Sequence, residues 1–482
     1  MLNTHLIKIL RSFSKEELTS FADFIYSPFF NKSKTVHKLW EAIKKYAPGF
    51  EHADLEKEKI FAIVFEGKEY NYGTMKNLIH SFTQLTEKFL EISIYEKDKF
   101  QQTYNSLTYC LSKYFPDLFR KKFDKSIKEL ENLSEGGEQH YLYKYQLQWM
   151  SAALTGLESK KDMVVFRQAE SLICFFLIHL FKIKHNIMTF YIEDNFIEEN
   201  DLAEMFLKNI DMNKILEGIK KVNPQDFDIV NLYYHMHLCR RDPGNDNYFL
   251  PYKEMLLNSK KYLHEDEFNS LARTFPNIMN QRAYMGIKGT KKETAEFFKF
   301  LIDSGISLGN TDSKISTTYF TAIIKYLLQV KDFEYAQRFF EKFSSDIAGK
   351  DKENLKNYYL SYLYYEKNDI NSSLEYSGKI KPDVNMYKFG IKILQIKCYF
   401  ELGESEPFKY TLDAYRQLIY RADFINESLK NYTKNFLNSV NALFEYKVFQ
   451  KGNLAEIKFD IVNNKMSNKE WILEKLEEIE NK

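Results

Sequence analysis

The stretch that decides the fold is NYYLSYLYYEKNDINSSLEYS, Asn357 to Ser377. Its apolar and aromatic residues recur at helical spacing on both sides of a short polar turn, Asn368-Asp369. Similar turns fall at Lys331-Asp332 and Gly403-Glu404. Their period of roughly 35 residues is typical of stacked helical hairpins, because no single hairpin can bury its own apolar face. The sequence therefore predicts an all-α protein built as a helical-hairpin repeat array, an α-solenoid.

The composition of the 482 residues favours the same fold class. The chain has 17 Gly and 9 Pro, too few for the many tight turns of an all-β protein. Hydrophobic residues make up 44% of the chain, and the 34 Tyr and 41 Phe predict a large core rich in aromatic rings. We therefore expect helices throughout.

The C-terminal third resembles the tetratricopeptide repeat family. That family places a small side chain and an aromatic on its first helix, a short turn, and a small residue early in its second helix. In this chain the middle unit matches at Ser361, Tyr364, Asn368-Asp369 and Ser373. The preceding unit matches at its turn and at Ala336 but carries Ile324 at the small position, and the following unit matches at Tyr399 and Gly403.

Three regions are predicted along the chain. Residues 1–95 form a small N-terminal helical domain, in which Ser14 and Glu17 have the spacing of a capping box. Residues 96–310 form an irregular helical-hairpin region, in which single helices are expected at Leu202 to Lys221 and at Glu267 to Gly286. Residues 311–482 form tetratricopeptide-like repeats that end in a charged capping helix from Asn468 to Glu480. This order is also similar to that of bacterial repeat proteins for which no chemistry is implied.

The family resemblance implies a binding surface. First-helix side chains would line a concave face that takes a protein or a peptide of unknown identity. The side chains at those positions are Thr321, Lys325, Tyr358, Tyr362, Tyr365 and Lys397. The carboxylate-clamp spacing of the family is not reproduced, so the resemblance does not predict which end of a ligand binds. The predicted function is a non-enzymatic protein- or peptide-binding scaffold.

An alternative is a nucleic-acid-associated regulator whose N-terminal head binds DNA and whose repeats sense a partner. The segment Glu58 to Phe82 is similar to the second and third helices of winged-helix regulators, and the long helix would offer Lys76 and His80 to a groove. The polar face of that helix also carries Glu87 and Glu91, which phosphates would repel. With 68 basic and 67 acidic side chains, the chain lacks the basic excess of a dedicated nucleic-acid binder.

The sequence contains no complete catalytic or metal-binding motif, so it predicts neither an enzyme nor a cofactor. Gly305 to Gly309 reads G-x-S-x-G, but the last histidine is His264, and the serine hydrolase order requires a histidine after Ser307. In the cluster His235 to Cys239, His237 points away from the other two ligands on a helix, and no second cluster completes a metal site.

The expected location is the cytoplasm, without a membrane span. The cysteines contain no C-x-x-C pair and read as reduced core residues. The N-terminus lacks the pattern of a signal peptide. The most apolar stretch, Leu172 to Phe181, is about half the roughly 20 residues that a spanning helix needs.

Overall fold

The computed structural model describes residues 1, 3–132, 137–157, 164–194, 201–306, 308–309, 315–344, 352–381, 385–422 and 425–481. Within these ranges it contains twenty-five α-helices, two short 3-10 helices and no strand. The one β contact there is an isolated bridge between Leu308 and Ile315. The predicted all-α fold class is confirmed. Helices pack mainly against their neighbours in sequence, as in a helical repeat array.

The chain divides into two compact units. Met1–Lys128 and Met150–Lys161 form the first, and Glu129–Trp149 and Asp162–Lys482 form the second. The first unit thus extends beyond residue 95, the boundary predicted for the N-terminal domain. The helices up to residue 132 are α1 (His5–Ser12), α2 (Lys15–Tyr26), α3 (Lys34–Ile43), α4 (Lys57–Val64), α5 (Tyr72–Lys97), α6 (Lys99–Ser112) and α7 (Pro116–Asn132).

The core of the first unit forms around α5, the longest of its helices, which contacts α1, α2 and α3. The buried ring of Phe21 stacks on Phe82 and meets Trp40 edge-on. The predicted capping box starts α2: Ser14 Oγ accepts from the Glu17 backbone N–H at 3.1 Å, and Glu17 accepts from the Ser14 N–H at 2.8 Å. Helix α1 was not predicted, and the side chain of Thr4 caps it.

The middle of the chain is helical as predicted, but two helices were predicted too long. The intervals are α8 (Glu138–Leu157), α9 (Val164–Asp194), α10 (Leu202–Asn209), α11 (Met212–Val222), α12 (Pro224–Arg241), α13 (Asp246–Ser259), α14 (Glu265–Ala272), α15 (Phe275–Met285) and α16 (Thr290–Asp303). A single helix over 202–221 is wrong because Asp211 caps α11 by accepting from the Lys214 N–H. A single helix over 267–286 is wrong because Pro276 starts a new one.

Helices α17 to α24 form four consecutive hairpins. They are α17 (Thr317–Gln329) with α18 (Phe333–Phe343), α19 (Lys352–Glu366) with α20 (Ile370–Gly378), α21 (Asn385–Leu402) with α22 (Ser405–Tyr420), and α23 (Glu427–Phe449) with α24 (Leu454–Asn463). In the first three turns Lys331, Asn368 and Gly403 have φ of +60°, +63° and +73°. In each, the next N–H reaches the carbonyl five residues earlier, so all three helices end in the same Schellman geometry.

The last helix, α25 (Lys469–Glu480), packs against α15, α23 and α24. The Met466 N–H donates to the carbonyl of Tyr284 at 3.0 Å, and Lys291 pairs with Glu474 at 3.0 Å. The end of the chain is therefore attached to helices that precede the hairpin series.

The apolar stretch 172–181 lies within α9, where Ile178 and Phe181 are fully buried in the core of the second unit. Throughout the described ranges, no helix combines the length and the apolar character that crossing a bilayer requires.

Candidate functional site

A cavity of about 1310 Å³ lies in the second unit. Helices α15, α16, α17, α21 and α22 form its walls, together with the first turns of α23 and α25. Aromatic rings, among them Tyr284, Tyr326 and Tyr415, alternate around it with amide and lysine side chains. Such a lining offers both apolar contact area and polar anchoring points.

The charge of the lining is positive. Five lysines reach the cavity against two glutamates, Glu427 and Glu470. The lysines are Lys291, Lys325, Lys397, Lys430 and Lys469. This excess of lysines over glutamates favours an anionic ligand only where the ammonium groups are not already paired with other groups of the protein.

Three of these lysines are satisfied by the protein itself. Lys430 pairs with Glu427 at 2.9 Å, and Lys291 pairs with Glu474 at 3.0 Å. Lys469 donates to the carbonyl oxygens of Val462 and Asn464 at the end of α24, at 2.7 and 2.9 Å. These cations therefore have local roles in holding α23 and α25.

The other two, Lys325 and Lys397, lack an anionic partner in the described part of the chain. Lys397 is 5% exposed and donates to the neutral Asn468 Oδ1 at 2.9 Å, with its ammonium 5.0 Å from the Trp471 ring centroid. The Lys325 ammonium lies 6.0 Å from the Tyr326 ring centroid and makes no hydrogen bond or ion pair to a described residue. Neither ammonium group therefore forms an ion pair with a described residue.

The surroundings of these lysines favour their neutral forms. Burial lowers the pKa of Lys325, and nearby Lys291 lowers it further. Burial also lowers the pKa of Lys397 well below its ordinary value, and both Lys325 and Lys291 add to that effect. Glu366 opposes this effect at both lysines, Glu474 opposes it at Lys397, and burial raises the pKa of Glu366 itself. Desolvation therefore outweighs attraction on both sides of this group of charges.

Two further predicted residues lie behind the cavity wall. Tyr358 and Tyr362 are 5% and 4% exposed, and the Tyr362 hydroxyl donates to the carbonyl of Gly390 at 3.1 Å. A Cβ atom at Gly390 would lie 3.3 Å from that hydroxyl oxygen, so the glycine permits α19 and α21 to approach closely. Both tyrosines contribute to packing between hairpins.

The last two predicted residues also make internal contacts. The Tyr365 hydroxyl accepts a hydrogen bond from Trp471 Nε1 at 2.9 Å. Thr321 donates to the Thr317 carbonyl within its own helix at 2.9 Å. Of the six predicted residues, the structure places Lys325 and Lys397 together on the cavity and uses the other four in the packing around it.

Sequence reasoning missed the contributions of Lys291, on α16, and of Trp471, on α25. Lys291 contacts Glu474 across 183 residues of sequence. No local pattern marks such a pair, because helical periodicity reports which face of a helix is buried and not which helix covers it. Only the folded chain shows that α25 borders the cavity.

The other candidate clusters show no comparable site. Within the described ranges no group of three or more His, Cys, Asp or Glu side chains could hold a metal ion, and His237 is buried against the Phe181 ring. Gly305 ends its helix with φ +72°, while Ser307 lies outside the described residues. On α5, Lys76 and His80 are exposed on a helix that also exposes Glu87 and Glu91, and α6 follows it directly.

Compared with known proteins, the chain matches no family model, no curated protein and no solved structure. Its function is therefore inferred from the chemistry of the cavity.

Proposed function

We propose that this chain is a non-enzymatic protein-binding scaffold and that a peptide segment of its partner binds in the cavity of the second unit. The observation that carries the proposal is the cavity itself, at about 1310 Å³ and lined by Tyr, Lys and amide side chains. Pockets for small molecules occupy about 300–1,000 Å³. The larger volume accommodates several residues of a peptide.

The lining chemistry fits a peptide chain. Tyr284 and Tyr326 provide flat, rigid contact area together with a polar group. Asn280 and Gln329 carry amides, each with a carbonyl acceptor and an NH₂ donor, which complement the alternating donors and acceptors of a peptide backbone. A site of this composition binds through many moderate contacts and needs no reactive group.

The proposal includes a tetratricopeptide-like repeat. Buried Ser361 and Ser373 occupy the two small positions of the middle unit, and Ser373 Oγ donates to the Ser361 carbonyl at 2.8 Å. Small residues there allow α19 and α20 to approach closely. The shared turn geometry at Lys331, Asn368 and Gly403 supports the same interpretation.

Selection from a random-peptide phage library on the full-length chain tests the function. Gln329→Trp fills the cavity without changing its charge, whereas Gln337→Trp makes the same change on the exposed side of α18. We expect enriched peptides to bind native protein and Gln337→Trp equally, and Gln329→Trp at least tenfold more weakly. Thr318→Trp is a second blocking variant should Gln329→Trp fail to fold. Failure to enrich any peptide, or full binding to a folded blocking variant, would overturn the proposal.

A further inference from the structure

We infer that the cavity contains a subsite for a single carboxylate group of the bound peptide, held between Lys325 and Lys397 beside the first turn of α25. The inference rests on the proposed function, because it names the chemistry by which a peptide would be recognised. Its first support is geometric. Both ammonium groups belong to residues that line one cavity, and neither has an anionic partner among the described residues.

A cation held away from water without a counter-charge is costly, and a bound anion removes that cost. Lys325 and Lys397 interact unfavourably with each other and with Lys291, which is the third cation of the group. The lowered pKa of both lysines is consistent with this mutual repulsion. A carboxylate between them would restore their protonated forms and would bind with proton uptake.

The start of α25 adds donors to the same place. Its N-cap residue, Asn468, has φ +53° and gives no side-chain cap, because its amide oxygen accepts from Lys397 instead. The first backbone N–H groups of the helix therefore lack the usual cap, and the positive end of the helix dipole lies at the cavity. Ser467, also on the lining and 7% exposed, has its Oγ without a hydrogen-bond partner among the described residues.

The charge balance selects a monoanion. Lys430 and Glu427 cancel as an ion pair. The other four lysines of the lining are opposed by three carboxylates, those of Glu366, Glu470 and Glu474. The net excess is about one positive charge. A carboxylate matches that excess, whereas a phosphate dianion would bring a second negative charge close to Glu366 and Glu470.

The test uses fluorescein-labelled peptides and fluorescence anisotropy with the full-length chain. Hexaglutamate with an amidated C-terminus offers side-chain carboxylates, and hexaserine with a free C-terminus offers a terminal one. Amidated hexaserine offers neither. We expect one of the carboxylate peptides to bind at least tenfold more tightly than amidated hexaserine, and the peptide that does so identifies the source of the group.

Variants connect that preference to the subsite. Lys325→Gln and Lys397→Gln should each weaken the preferred peptide at least tenfold, and Lys325→Arg should retain most of the binding. Lys292→Gln, an exposed lysine on the same helix as Lys291, is the control and should change nothing. An unchanged affinity in both folded glutamine variants, or peptides that bind the chain without any preference for a carboxylate, would overturn the subsite.

A second readout separates this inference from the proposed function. Acetate and inorganic phosphate are titrated separately while the ¹³Cε signals of Lys325 and Lys397 are followed by NMR. Acetate should shift both signals at lower concentration than phosphate, and the reverse order would contradict a monoanion site. If peptides depend on the cavity but not on these lysines, the scaffold function stands and the subsite fails. If acetate shifts both lysines but no peptide binds, the subsite stands and the peptide-binding function fails.

Discussion

The indole Nε1 of Trp471 donates a hydrogen bond of 2.9 Å to the Tyr365 hydroxyl, 106 residues earlier in the chain. Trp471 is 5% exposed, and the rings of Phe400 and Phe436 pack against it. The bond attaches α25 to the first helix of the α19–α20 hairpin. The side chain that borders the cavity is thus also one that holds the C-terminal hairpins in place.

We expect Trp471→Phe to lower the free energy of unfolding by about 1–2 kcal/mol, because it removes one hydrogen bond and part of a buried ring. Urea denaturation measures the loss. Tyr365→Phe should cost less in the Trp471→Phe background than in the native chain, with a coupling energy of about 1 kcal/mol. Strictly additive effects of the two substitutions would show that the bond does not contribute to stability.

Two glycine-to-alanine substitutions should change the free energy of unfolding in opposite directions. Gly403 has φ +73° in the turn between α21 and α22, a conformation that costs an L-residue roughly 1–2 kcal/mol. Gly218 lies exposed inside α11, and a Cβ there would meet nothing within 4 Å. We expect Gly403→Ala to destabilise the chain by about that amount and Gly218→Ala to stabilise it by about 0.5–1 kcal/mol in thermal or urea unfolding. Equal effects would contradict the turn geometry.

The hairpin turns could be predicted because their signal is local. Asp332 and Asp369 each follow a residue of positive φ, and each carboxylate accepts from the N–H three residues on, at 3.2 and 3.1 Å. Asp and Asn are favoured at such positions for this chemical reason, so the sequence displays it. The same reasoning fails at Asp211, a capping residue that lies inside a long apolar pattern, so the sequence predicts one continuous helix where the chain forms α10 and α11.

The cavity could be predicted only in part. Lys325 and Lys397 were found because they lie at corresponding positions on first helices of the repeats. That these lysines form no ion pair could not be predicted, because it depends on which carboxylates the fold brings near them. Glu366 acts on both lysines but forms an ion pair with neither. That α25 borders the cavity could not be predicted either. It depends on contacts such as that of Lys291 with Glu474, which produce no periodic pattern in the sequence of either helix.

Replacing Lys325 by a neutral residue should stabilise the fold. We expect Lys325→Met to raise the free energy of unfolding by about 1 kcal/mol at pH 7, because it removes a partly buried cation that forms no ion pair with a described residue. With a folded pKa below the ordinary 10.5, the native chain itself gains stability as the pH rises towards 10.5, so the difference should shrink. Exposed Lys292→Met is the control, and urea denaturation at pH 7 and pH 9.5 measures both. A destabilised Lys325→Met would mean that the ammonium is already compensated.

His237 should make the fold sensitive to acid. The side chain is 3% exposed, its ring lies 5.5 Å from that of Phe181, and burial lowers its pKa from 6.5 to about 4, with Lys184 and Arg241 contributing. Between these values the unfolded chain binds a proton that the folded chain does not. The free energy of unfolding therefore decreases by about 1.4 kcal/mol for each unit by which the pH is lowered. We expect His237→Phe to remove that part of the slope in urea denaturation from pH 6.5 to 4.5, whereas exposed His80→Phe should leave it unchanged. Equal slopes in both variants would show that His237 is not the responsible group.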